Sequence, residues 1–99
     1  MRARFRARRL QRQAESESLA RRGYGPVVGR RFIQRVDALE EASAFESLFQ
    51  VRAFDLQRLR GDRAGSYAMR LTGFDRLILT DDEAADEIWI EKVSTHYGD

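Results

Sequence analysis

The sequence contains no cysteine, which excludes a disulfide framework and any thiolate metal site and fits a reducing cytoplasm. Histidine occurs once, at His96, so a ribonuclease mechanism built on two imidazoles is excluded. Neither a metal nor a cofactor is expected. No stretch approaches the roughly 18 apolar residues that would cross a bilayer, and the N-terminus lacks the apolar core of a signal peptide. The residues therefore predict a cytoplasmic protein with no membrane partner. Proline also occurs once, at Pro26, where it punctuates the chain.

Charge is abundant but sorted. Residues 1–12 carry six arginines and no acid, whereas residues 81–99 carry seven acids and one lysine. Of the 18 basic residues all but Lys92 are arginine. The planar guanidinium fork contacts phosphate bidentately and stacks on bases better than an ammonium does, so a nucleic-acid partner fits this composition. An Arg-rich solvated surface fits it equally. With 99 residues, 42% of them hydrophobic, the chain is expected to form one domain, residues 1–99, around a modest core.

Periodicity orders the elements. Residues 1–6 alternate Arg with small or aromatic residues, as a short edge strand would. Residues 8–22 lack Pro and Gly and space Leu10, Ala14 and Leu19 loosely, which predicts a polar helix. Gly23, Gly25 and Pro26 then interrupt the chain and start a second helix. Val28, Phe32, Val36 and Leu39 line one face of that helix, predicted from Pro26 to Leu39 or beyond. Residues 42–49 either extend it or form a separate turn. After Phe54 the period becomes two, which predicts short strands at residues 56–59, 66–71, 76–80 and 87–93 with brief connections. Short connections imply antiparallel neighbours. The expected fold is α+β, with two N-terminal helices packed on one face of a small, mostly antiparallel sheet.

Strand alternation then assigns the open face. With Tyr67, Met69 and Leu71 turned toward the helices, Arg70 turns away; with Leu77 and Leu79 inward, Arg76 joins it. In the last strand Ile88 and Ile90 point inward, leaving Trp89, Glu91, Val93 and, in a regular strand, Tyr97 outward. Aromatics beside cations suit single-stranded RNA. The plainer reading of Trp89 is cover beneath a loop or a protein interface, and that of Arg70 and Arg76 is charge balance with Glu91.

The run Leu59-Arg60-Gly61-Asp62-Arg63-Ala64-Gly65-Ser66-Tyr67-Ala68-Met69-Arg70-Leu71 resembles the RelE/HigB toxin family, also called the plasmid-maintenance killer family. The similarity extends back through Arg22-Gly23-Tyr24-Gly25 to about residue 8 and forward through Arg76-Leu77-Ile78-Leu79 to His96-Tyr97-Gly98. Arg60 stands where many members have Lys, and Asp75 precedes Arg76 where an aromatic is frequent, with Phe74 displaced by one. The resemblance implies the toxin of a type II toxin-antitoxin system that cleaves messenger RNA at the ribosome, with a cognate antitoxin, often a helix-turn-helix protein, as partner. By position it implies Arg60, Arg63, Arg70 and Arg76 as basic groove residues and His96 and Tyr97 as acid/base or stacking residues. The expected catalytic set is therefore His96, Tyr97, Arg76 and Arg70, and the expected RNA-binding set is Arg60 and Arg63 together with Arg58 and, from strand alternation, Trp89.

Such cleavage needs removal of the ribose 2′-hydroxyl proton, stabilisation of phosphorane charge, and protonation of the leaving oxygen. Guanidinium groups suit the second task. With an ordinary pKa of about 6.5, the histidine suits proton transfer, and Tyr97 either transfers a proton or stacks. Two other classes remain open: a ParE-like protein-binding toxin that inhibits DNA gyrase, and a catalytically degenerate member that keeps only the charge.

Overall fold

The computed structural model describes residues 1–61 and 65–95. Three helices, α1 (Arg8–Glu15), α2 (Glu17–Tyr24) and α3 (Pro26–Glu41), follow a short strand β1 (Arg2–Phe5). Two 3-10 helices, Phe45–Gln50 and Arg52–Phe54, lead to strands β2 (Gln57–Arg58), β3 (Ser66–Arg70), β4 (Arg76–Asp82) and β5 (Glu87–Ser94). The five strands form one sheet in the order β1-β5-β4-β3-β2. All neighbours are antiparallel except β1, which runs parallel to β5 and pairs Ala3 with Ile88 and Phe5 with Ile90. The α+β architecture read from the sequence is therefore present, with a parallel strand added at one edge.

The single helix expected over residues 8–22 is two. Ser16 takes an extended conformation (φ −141, ψ 112), and its hydroxyl accepts the Leu19 N–H at 3.2 Å, capping α2. A serine that satisfies an orphan amide favours starting a new helix over continuing the old one. Between α2 and α3, Gly25 adopts φ +85, a conformation costly for a side-chain-bearing residue, and Pro26 opens α3.

The helices cover one face of the sheet. Leu10, Ala20, Phe32, Val36 and Leu39 pack with Met69, Leu71, Leu77, Leu79, Ile88 and Ile90 in one buried cluster. From the first 3-10 helix, Phe45 joins them, its ring centroid 4.6 Å from that of Tyr67. Inside the helical layer, Tyr24 donates its hydroxyl to Gln13 Oε1 at 2.6 Å, which satisfies a glutamine that is otherwise buried.

Two expectations for the last strands change. Residues Asp81 and Asp82 belong to β4 rather than to a loop; Asp81 lies opposite Ile88, on the parity of the core, and burial raises its carboxyl pKa, with neighbouring acids acting in the same direction. Val93 does not point outward. Ile78 pairs with Lys92 but Leu79 pairs with Ile90, so Glu91 is an extra residue in β5. A bulge inverts the parity of everything after it, which returns Val93 to the core beside Leu77 and turns Lys92 to the open face opposite Ile78.

Contact between α2 and α3 is close enough to demand a missing side chain. A Cβ on Gly29 would sit 2.8 Å from the carbonyl carbon and oxygen of Ala20 and 2.9 Å from the Arg21 nitrogen. Gly29→Ala is therefore expected to destabilise the fold by about 1–3 kcal/mol, as overpacking does. Because the obstacle is backbone, adding Ala20→Gly should not restore stability; a rescue in urea unfolding would contradict this packing.

Candidate functional site

At the end of the β3–β4 hairpin, Arg70 and Arg76 are direct cross-strand partners, so both leave the sheet on its open face. Like charges in this position repel, and each guanidinium finds separate acceptors. Arg70 Nη1 lies 4.0 Å from Asp55 Oδ2. Arg76 Nη1 donates to the carbonyls of Thr72 at 2.7 Å, Asp75 at 3.1 Å and Gly73 at 3.4 Å, so the connecting turn holds it. That turn is itself fixed by Leu71 N–H donating to the Asp75 carbonyl at 2.9 Å and by the Thr72 hydroxyl donating to the Asp75 carboxylate.

Asp55 was not a candidate in the sequence. It closes the second 3-10 helix in a left-handed conformation, φ 41, and Gln57 Nε2 donates to its carboxylate at 3.3 Å. Only the pairing of β2 with β3 carries it to Arg70 from 15 positions away, and no local pattern announces that.

Around the same hairpin end, toward the helices, is a cleft of about 430 Å³ lined by Arg31, Arg35, Arg52 and Arg70 with Thr72 and Gly73. Arg31 Nη1 donates to the Leu71 carbonyl at 2.8 Å. Arg35 Nε donates to the Arg70 carbonyl at 3.1 Å and its guanidinium lies over the Phe54 ring, 4.9 Å from the centroid. Burial lowers the Arg35 pKa, and the charge of Arg31 lowers it further. None of Arg31, Arg35 and Arg52 was singled out in the sequence; the available signal was the four-residue spacing of Arg31 and Arg35, which puts both on one face of α3.

Trp89 shares the open face but not this end of it. It pairs with Thr80, four residues along β4 from Arg76, or about 13 Å at strand rise. The guanidinium of Arg6 lies over its ring at 4.1 Å and that of Arg4 at 5.2 Å, contacts that bury a cation–π surface. Arg6 also donates from Nε and Nη2 to the two Glu91 oxygens, both at 2.9 Å. Glu91 accepts the Thr80 hydroxyl at 2.8 Å. Its carboxyl pKa is consequently held down, first by the Arg6 hydrogen bonds, against a desolvation that acts the other way. Charge balance for Glu91 thus comes from Arg6, not from Arg70 or Arg76.

The remaining candidates separate. Arg58 pairs with Tyr67 and lies over its ring at 5.7 Å, which puts it on the helix-facing parity at the sheet edge. Arg60 is exposed beyond β2. Arg63, His96 and Tyr97 lie outside the described residues. Among the described residues no group of three His, Cys, Asp or Glu is arranged to hold a metal ion, and no helix is long and apolar enough to cross a membrane.

The Glu91 network has a pH signature. A carboxyl with a lowered folded pKa contributes stability above its unfolded value of about 4.3, and the contribution disappears as pH falls through the folded value. Glu91→Gln should cost less than about 1 kcal/mol near neutral pH, since solvent screens the pair, and less at about pH 3, below the unfolded value. Urea unfolding at both pH values checks this; an equal cost at both would contradict it.

No protein-family model and no curated protein matches the chain. Solved structures do. The YoeB/ParE toxin from Agrobacterium tumefaciens is similar over 98% of this chain and 100% of its own, with a TM-score of 0.67 at 12% identity. A chain of the YoeB-YefM complex from Staphylococcus aureus is similar over 98% of both, with a TM-score of 0.63 at 15% identity. A chain of the toxin-antitoxin complex RelBE2 from Mycobacterium tuberculosis is similar over 95% of both, with a TM-score of 0.51 at 20% identity. At these identities what is shared is the backbone: three helices on a five-stranded mixed sheet give this chain the fold of the RelE- and YoeB-type toxins.

Proposed function

We propose that the chain is the toxin of a type II toxin-antitoxin system and cleaves messenger RNA at the ribosome. The observation that carries this reading is the Arg70–Arg76 pair, directed to one solvent-facing end of the sheet with a carboxylate 4.0 Å from Arg70, in a fold shared with such toxins. The partners are messenger RNA on the ribosome and a cognate antitoxin of helix-turn-helix type.

In this reading the 2′-oxygen of the RNA attacks the adjacent phosphorus as its proton passes to the Asp55 carboxylate. A cyclic 2′,3′-phosphate forms, the P–O5′ bond breaks, and the 5′-oxygen takes a proton from the His96 imidazolium. Arg70 and Arg76 stabilise the charge that grows on the phosphorane oxygens. Arginine suits this role because it stays ionised and presents a planar fork. With its guanidinium already held by turn carbonyls, Arg76 needs little reorganisation as that charge develops. Tyr97 stacks on the adjacent base, and Arg60 and Arg63 follow the phosphate backbone. Trp89, beneath Arg4 and Arg6, supports the far end of the face through those arginines.

In vitro translation followed by primer extension tests the proposal. Wild-type protein is expected to cut messages within the ribosomal A site; Arg70→Ala should slow cutting by about 10²–10³-fold, the usual cost of one preorganised charge-stabilising group, and His96→Ala with Arg76→Ala should abolish it. Arg76→Lys, which keeps the charge, separates chemistry from loss of the turn and should retain part of the activity. Intact messages with the wild type would overturn the proposal, and inhibition of gyrase supercoiling alongside intact messages would support a protein-binding toxin instead.

A further inference from the structure

Four cations from three elements converge on the cleft beside the β3–β4 hairpin: Arg31 and Arg35 from α3, Arg52 from the second 3-10 helix and Arg70 from β3. Among the described residues, no acidic side chain lines it. Of the carboxylates near it, Asp55 pairs with Arg70 at 4.0 Å and Asp75 accepts the Thr72 hydroxyl. The Arg52 side chain has no hydrogen-bond or ion-pair partner among the described residues, and Arg35 leaves both Nη atoms without a hydrogen-bond acceptor there once its Nε is bound to the Arg70 carbonyl. Folding thus concentrates like charge and aims it by backbone contacts, an arrangement that costs stability until an anion arrives.

A second observation narrows the anion. Phe74 follows Gly73, which lines the cleft, and is 66% exposed, more than any other large apolar side chain among the described residues. Its backbone is fixed, with the amide directed to the Thr72 hydroxyl at 3.4 Å. An exposed ring next in sequence to the lining of an arginine-rich cleft matches a ligand with both phosphates and stackable bases. An acidic peptide offers only the charge.

We propose that this cleft binds the phosphodiester backbone of single-stranded RNA, with a base stacked on Phe74, and so guides the strand flanking the cut toward Arg70 and Arg76. The identity of that strand as the one being cut rests on the nuclease reading. Arg70 belongs to both sites and joins them: its side chain leaves β3 on the open face, while it also lines the cleft. Bidentate contact from Arg35 and point contacts from Arg31 and Arg52 hold neighbouring phosphates; Phe74 adds affinity that salt does not screen.

Fluorescence anisotropy with a labelled oligouridylate, over a series of salt concentrations, tests the cleft without ribosomes. Arg52→Ala, which removes no side-chain hydrogen bond or ion pair among the described residues, should weaken binding about fivefold at low salt and make the logarithmic salt slope shallower by about 0.7, one phosphate's share. Phe74→Ala should weaken binding with the slope unchanged. Arg30→Ala removes the same charge from another groove, beside Ala14 and Ile33, and should bind as the wild type does. The proposal is overturned if Arg52→Ala and Phe74→Ala both match the wild type, if Arg30→Ala loses as much, or if polyglutamate binds with the same Arg52 dependence and oligouridylate does not. Arg52-dependent RNA binding by a protein that leaves messages intact on ribosomes would sink the nuclease reading alone. Ribosomal cutting with Arg52-independent RNA binding would sink the cleft alone.

Discussion

The register between β3 and β4 is the constraint on which the rest of the molecule depends. Tyr67 opposite Leu79 and Met69 opposite Leu77 face the helices, and slipping either strand by one residue would turn that apolar set to solvent. The same register leaves Arg70 opposite Arg76 on the other face. Burial of leucine and methionine on one side is therefore what overcomes the repulsion of two arginines on the other: each fully buried side chain is worth about 1.5–3 kcal/mol, against several tenths for like charges across an exposed pair.

The hairpin also decides how those arginines are used. Turn carbonyls at Thr72, Gly73 and Asp75 take one Arg76 nitrogen, and Asp55 draws Arg70 toward the β2 edge. Behind them α3 anchors Arg31 and Arg35 to the carbonyls of Leu71 and Arg70. A single strand end thus organises the open-face pair and the cleft together, whereas the Trp89 end of the sheet is self-contained, its arginines engaged with a ring and with Glu91.

Much of this was legible in the sequence because alternation and helical spacing are local. The apolar stripe Phe32, Val36 and Leu39 lies buried on α3 as its spacing predicts, and the parities of Arg70, Arg76 and Trp89 follow from the apolar residues between them. What was hidden depends on single hydrogen bonds or on contacts far apart in the chain. One serine hydroxyl divides the first helix, and one extra residue in β5 returns Val93 to the core. Asp55 and Arg52 reach the basic cluster only through tertiary folding. Parity likewise gave no warning that Trp89 sits beneath Arg4 and Arg6, since β1 joins the sheet beside the strand most distant from it in sequence.

The central claim is that Arg70 and Arg76 act on one phosphate, and a double-mutant cycle in the ribosomal cleavage assay addresses it most directly. Groups that stabilise the same developing charge are coupled, so the rate loss of the Arg70→Ala, Arg76→Ala double variant should fall well short of the product of the single losses. Losses that multiply as independent sites do, with the fold intact by thermal unfolding, would contradict a shared centre.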